Sequence, residues 1–281
     1  KKRPVSKVSA HTRSFLQSAH IFSVSDELDG MIKSGTDEYF LLHDREERFQ
    51  GLFSTQDLMI YLSNLTQKDI TLAHNLQTRM VKERLSVLTA DLEVSGSAST
   101  AKGVGGDFYS VKKISSKDWI LSLCDVSGKG VAASIITAML YGIIETFEFR
   151  RGLTEFVRQL NHSIFSTFNA EKYLTGVFLL FDESKSKMKL LDMGHSFVTL
   201  VRDGRVHSIA SSESNLPVGI TPDIDPRVVG LTLLRGDIMV LVTDGLTEQQ
   251  NRTGEEYPLK RLHTLLTEFS DESLEELRER I

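Results

Sequence analysis

Short β-like runs rich in apolar residues cover 91–97, 107–114, 119–126, 173–181, 188–193, 197–201, 227–234 and 238–243. These predict β-strands. Two longer stretches, 131–147 and 153–168, carry apolar residues at three- and four-residue spacing and predict helices. Residues 259–269 and 272–281 predict two more. Strands in hairpin-like succession, interrupted by consecutive helices, argue for an α+β domain over 90–281, a layered antiparallel sandwich covered by helices.

Ahead of residue 90 the pattern is different. Residues 20–64 read as helix, strand, turn, strand, helix. A helix-like stretch at 26–33 precedes the apolar run Tyr39-Phe40-Leu41-Leu42, and a charged turn from His43 to Arg48 leads to Gly51-Leu52-Phe53. Ser54 or Thr55 then caps the last helix. Residues 67–88 read as one helix without Gly or Pro, with Ile70, Ala73, Leu76 and Met80 on one stripe. Two readings stand side by side: a helix packed on its own domain, or a signalling linker that pairs with a second copy.

The 281 residues allow one to three domains. A net charge of -5 with no basic block argues against nucleic acid as the main partner. No apolar run reaches the ~20 residues of a membrane span. The single Cys124 excludes an internal disulfide and a cysteine-based zinc site, which fits a reducing cytoplasm. The chain opens at Lys1 and closes in a helix-like stretch, so it reads as a fragment truncated at its C-terminus.

Candidate chemistry concentrates in three aspartates, each beside glycine and next to an apolar run: Asp107 in Gly105-Gly106-Asp107, Asp125 in Asp125-Val126-Ser127-Gly128, and Asp244 in Thr243-Asp244-Gly245. Singly, each has a structural reading as a turn, a cap or a bulge. Together they form an oxygen-rich set suited to a hard divalent cation, because burying an unpaired carboxylate costs several kcal/mol. Competing motifs fail on the letters. Gly105 to Tyr109 lacks the second acid of a diguanylate cyclase signature, since position 108 is Phe. Ser127-Gly128-Lys129-Gly130 lacks the distal glycine of a phosphate-binding loop, since position 123 is Leu. His195, in Gly194-His195-Ser196, reads as a structural hydrogen-bonding residue in preference to a general acid.

Six segments in order carry a resemblance. Val104 to Tyr109, Asp125 to Gly130 with Ala132-Ala133, Met193-Gly194-His195, Leu216 to Ile220, Arg235-Gly236-Asp237, and Val242 to Glu248 resemble the metal-dependent phosphatases of the protein phosphatase 2C-like (PPM) superfamily, in the SpoIIE/RsbU branch. The resemblance implies a four-layer α-β-β-α sandwich over 90–281, with a site for two Mn²⁺ or Mg²⁺ ions. It implies that Asp107 holds one metal, Asp125 bridges the pair beside the Val126 carbonyl, and Asp244 holds the other. It implies that the two helices after Asp125 form a switch that shapes the second metal site. Family members carry a further acidic pair in a last strand. Here that region reads as helix, and Asp271 and Glu272 do not fall in the pattern, so the ligand set is expected to be one member short. No phosphate-binding arginine stands out, and Lys129 is a candidate by proximity.

Residues 20–64 resemble one cystathionine-β-synthase-type (CBS) repeat through Gly51 to Leu58, which implies nucleotide contacts from Ser54 and Asp57. The domain expectation is therefore a partial CBS-like regulatory module over 1–66, a helical linker over 67–89 and the phosphatase domain over 90–281. The expected activity is cytoplasmic, metal-dependent hydrolysis of a phosphoserine or phosphothreonine protein. By the same resemblance the substrate is an anti-sigma-factor antagonist of the STAS type, and a homodimer forms through the 67–88 helix. The rival is a non-catalytic phosphatase-fold protein that signals through partner or nucleotide binding.

Overall fold

The computed structural model describes residues 12–99, 103–209 and 215–281. The chain divides into two compact units, Lys1–Thr71 and Leu72–Ile281. In the first, β1 (Ser14–Leu16) runs parallel to β2 (Tyr39–His43), which pairs antiparallel with β3 (Phe49–Ser54). Helix α1 (Ile21–Ser34) and the start of α2 (Thr55–Met80) complete the unit. Phe15, Val24, Leu28, Phe40 and Leu58 form its core, with Phe15 and Phe40 edge-to-face at 5.8 Å. The expected order from helix to helix is present. Strand β1 precedes it and pairs three residues, too few to leave a period in the sequence.

The second unit is organised by strand parity. Its larger sheet has the order β12-β9-β8-β7-β6, from β6 (Phe108–Lys113), β7 (Asp118–Val126), β8 (Leu174–Asp182), β9 (Lys187–Met193) and β12 (Val229–Thr232), all antiparallel. A second sheet joins β11 (Arg205–Ser208), β10 (Val198–Arg202) and β13 (Ile238–Leu241), and β4 (Arg84–Leu88) pairs with β5 (Glu93–Ser97). Even-numbered side chains of β7 and β8, among them Ile120, Cys124 and Phe178, pack under α3 (Val131–Thr146) and α4 (Leu153–Phe168). Odd-numbered ones, Trp119, Val177, Leu179 and Phe181, join Val198, Met239 and Leu241 between the sheets. Beyond the smaller sheet, Val201, Ile238 and Val240 meet Leu262 and Leu266 of α6 (Leu259–Glu268) and Leu277 of α7 (Leu274–Arg280). One turn of helix, α5 (Asp244–Thr247), follows β13. Both sheets are thus buried on both faces, with helices outside and apolar side chains between.

The linker expectation needs correction. Helix α2 starts at Thr55 and ends at Met80, and residues 84–88, read as its last turn, form β4. Arg84 to Leu88 alternate exposed and half-buried and pair with β5 from Arg84↔Ser97 to Leu88↔Glu93, a register that a helix cannot satisfy. The buried position on the last turns of α2 is Gln77, while Leu76, expected on the packed stripe, is 50% exposed.

Candidate active site

Strand parity brings the three aspartates to one end of the space between the sheets. Asp125 is the last odd-numbered residue of β7, so it shares a face with Trp119 and Leu121. Thr243 continues the face of Met239 and Leu241 beyond β13, and Asp244 opens α5 directly after it. Asp107 immediately precedes β6. The Thr243 hydroxyl donates to Asp107 Oδ2 at 3.0 Å, tying two segments 136 residues apart. Gly245 lies against the same carboxylate, which a Cβ there would meet at 3.4 Å.

Asp125 lies within interaction range of the carboxyls of both Asp107 and Asp244. Burial, then the charges of Asp107 and Asp244, push its carboxyl from 3.8 up to about 7. Burial also raises Asp107, against the hydrogen bond from Thr243. Carboxylates at hydrogen-bond distance can share protons; fully ionised, they repel one another.

All the donors are oxygens, and the one basic side chain among the main influences on Asp107 and Asp125 is His195, which lowers Asp107. A Cβ on Gly106 would fall 2.9 Å from the Val126 carbonyl oxygen and 3.3 Å from that of Gly128, so glycine is needed for these oxygens to close on the Asp107 loop. These features fit a divalent cation. Among the described residues no group of three or more His, Cys, Asp or Glu side chains is preformed to hold a metal.

Other expected residues fall as follows. His195 is buried; its backbone N–H donates to Asp192 Oδ1 at 2.8 Å, and its Nε2–H donates to the Val242 carbonyl at 2.7 Å. That carbonyl only accepts, which fixes the tautomer and makes the ring a strut under the strand leading to Asp244. Lys129 is exposed, whereas the Lys172 ammonium bonds the Ser127 carbonyl at 3.3 Å. Asp271 and Glu272 take no part in the cluster, and Arg280 holds the Glu272 carboxylate at 2.6 Å. Ser54 and Asp57 bond each other at the start of α2. The Ser54 hydroxyl donates to Asp57 Oδ2 at 2.9 Å and accepts the Asp57 N–H at 3.0 Å, a reciprocal helix cap. The sequence reading missed Thr243, Asp192 and Gln77. Only Gln77 left a signal, a polar residue at i+7 from Ile70 on an apolar stripe.

Residues 115–281 match the family described as Stage II sporulation protein E (SpoIIE). The chain is similar to the phosphoserine phosphatase RsbU of Bacillus subtilis (strain 168), with 25% identity over 192 residues, covering 67% of this chain and 56% of that protein. Its fold is like that of the SiaA-PP2C domain of Pseudomonas aeruginosa, with a TM-score of 0.61 and 16% identity over 78% of this chain and 88% of the other. It is also like that of RsbX in complex with magnesium, with a TM-score of 0.55 and 16% identity over 70% and 89%. The chain spans about half the length of the curated relatives it matches, 56% and 52%.

The acidic cluster has a pH signature. A carboxyl whose pKa is raised by folding contributes stability below its unfolded value and loses it as the pH climbs through the folded one. For Asp125 that window runs from 3.8 to about 7. In chelator, the thermal midpoint is expected to fall across this window more steeply in the wild type than in Asp125→Asn. Parallel curves for the two proteins would show that Asp125 is not under this strain.

Proposed function

The chain belongs to the SpoIIE family, and on that premise we propose that it is a metal-dependent protein phosphatase acting on phosphoserine or phosphothreonine. The observation that carries this reading is the meeting of Asp107, Asp125 and Asp244 between the two sheets, with Asp125 raised to about 7. Asp107, Asp125, the Val126 carbonyl and Asp244 are the groups that would hold two Mn²⁺ or Mg²⁺ ions. Such ions supply charge against a phosphoryl dianion and hydroxide at neutral pH. RsbX, one relative in fold, is a magnesium complex.

The protein's own groups set the geometry. Asp125 spans the two flanking carboxylates, Thr243 keeps Asp107 aimed at it, and His195 holds the strand end that delivers Asp244. A side-chain nucleophile is not the better reading. The Thr243 hydroxyl is committed to Asp107, and Cys124 faces the helices, fully buried, its thiol pushed well above its usual range by burial. Direct attack by water therefore fits the site better than a covalent intermediate. The family resemblance supports a phosphorylated STAS-type anti-sigma-factor antagonist as substrate, with the first unit as a regulatory module. The non-catalytic reading is favoured by one observation, that Asp271 and Glu272 stand outside the cluster.

Helix α2 supplies the proposed homodimer contact. Leu72 and Leu76 are 59% and 50% exposed and one turn apart, the spacing of a helix–helix seam. Changing both to Glu is expected to halve the mass seen by light scattering, and an unchanged mass would defeat this contact. For the activity, hydrolysis of p-nitrophenyl phosphate and of a phosphoserine protein should require Mn²⁺. It should fall to the metal-free rate in Asp125→Ala and Asp244→Ala. Equal rates in all three proteins would sink the proposed site.

A further inference from the structure

Near its end, helix α2 carries a buried amide that the phosphatase reading leaves unused. Gln77 is 4% exposed. Its Nε2 donates to the Gly105 carbonyl at 2.7 Å and to Thr137 Oγ1 at 3.1 Å, and its Oε1 accepts the Gly105 N–H at 2.9 Å. Both backbone groups of Gly105 are therefore paired with one side chain, which stands in for a neighbouring strand. One turn earlier, the His74 ring Nδ1 bonds the Gly103 carbonyl at 2.6 Å.

These contacts fall where the sheet has none to offer. Strand β6 begins at Phe108, paired with Cys124, so the segment that delivers Asp107 lies ahead of the ladder. Gly106 is pressed against the Val126 carbonyl on one side, and Gly105 is gripped by Gln77 on the other. The third bond reaches Thr137 of α3, the helix that follows the Asp125 loop; the Thr137 hydroxyl in turn donates to the Ser134 carbonyl at 2.8 Å. One amide thus ties together the Asp107 loop and the first helix after Asp125.

We infer that Gln77 is a positioning residue for Asp107: acting through the Gly105 backbone and α3, it sets the direction from which that carboxylate meets Asp125. It touches neither substrate nor reacting atoms. The inference rests on the reading of Asp107 as a metal ligand. An apolar side chain at 77 leaves the half-buried N–H and carbonyl of Gly105 without this partner, and the loop can relax away from Asp125 to find others.

A merely structural role would lower stability and leave the site's affinity intact, so affinity is the readout. Mn²⁺ alone is titrated calorimetrically into the full chain, well below the melting point, for the wild type, Gln77→Met and Met188→Ala. The last opens a cavity in the inter-sheet core at the start of β9. Gln77→Met is expected to weaken Mn²⁺ binding about tenfold or more, while Met188→Ala lowers the melting point and keeps the affinity. Should Gln77→Met not fold, Thr137→Val, which removes the third bond together with the intrahelical bond to Ser134 and leaves both Gly105 bonds in place, is expected to give a severalfold loss. Wild-type affinity in a folded Gln77→Met, or in Thr137→Val where that variant stands in, overturns the inference and leaves the phosphatase reading standing. A wild type that binds no Mn²⁺ overturns both.

Discussion

Three carboxylates are held close together between two apolar sheets, and the second unit is built to keep them there against their mutual repulsion. Asp107, Asp125 and Asp244 come from a glycine loop, a strand end and a helix start. Nothing local would bring them together. What does so is the antiparallel ladder of β6, β7 and β8, whose fixed register leaves Asp125 at a set height and on a set face. Burial makes each ionised carboxylate costly, and proximity raises that cost for its neighbours. An arrangement of this kind persists only when the surrounding structure over-determines it.

The surrounding contacts show where that determination comes from. Thr243 bonds Asp107, Asp192 and His195 close the turn after β9 onto the Val242 carbonyl, and Gln77 grips the glycine ahead of Asp107. A second buried amide does comparable work on α4. Asn161 donates to the Thr221 and Pro222 carbonyls and accepts the Gly219 N–H at 2.7 Å. Several segments that carry the family resemblance are thereby explained as scaffold. Gly194 adopts φ +74°, and a Cβ there would meet Pro217 at 3.0 Å. Asp237 accepts from Arg202 and from the Leu234 N–H, which closes the turn at Gly236. In the proposed reading the chemistry belongs to the three aspartates, and these motif positions shape the turns around them.

Much of this was legible in the letters. Helix α4 is legible to the residue because Gly152 and Asn169 bound its apolar stripe, which only Asn161 interrupts. The central strands β7 and β8 are legible to within a few residues because each carries a long apolar run. Strands β4 and β11 escaped notice for a different reason. Their identity as strands comes from the partner they pair with, and Arg205 to Ser208 has only Val206 to mark an inward face. The aspartates and the bracing His195 can be named from the sequence, but Thr243 and Gln77 cannot. A threonine before Asp244 and a glutamine in a helix acquire meaning only when residues 136 and 28 positions away are brought against them.

The central claim is that the three aspartates form a cation site and are not simply a strained acidic cluster. The most direct measurement is an anomalous-difference map at the manganese edge, from crystals of the chain grown with Mn²⁺. The account predicts two peaks, each touched by Asp125, one shared with Asp107 and the other with Asp244. A map with manganese elsewhere on the protein and no density among these carboxylates would contradict it.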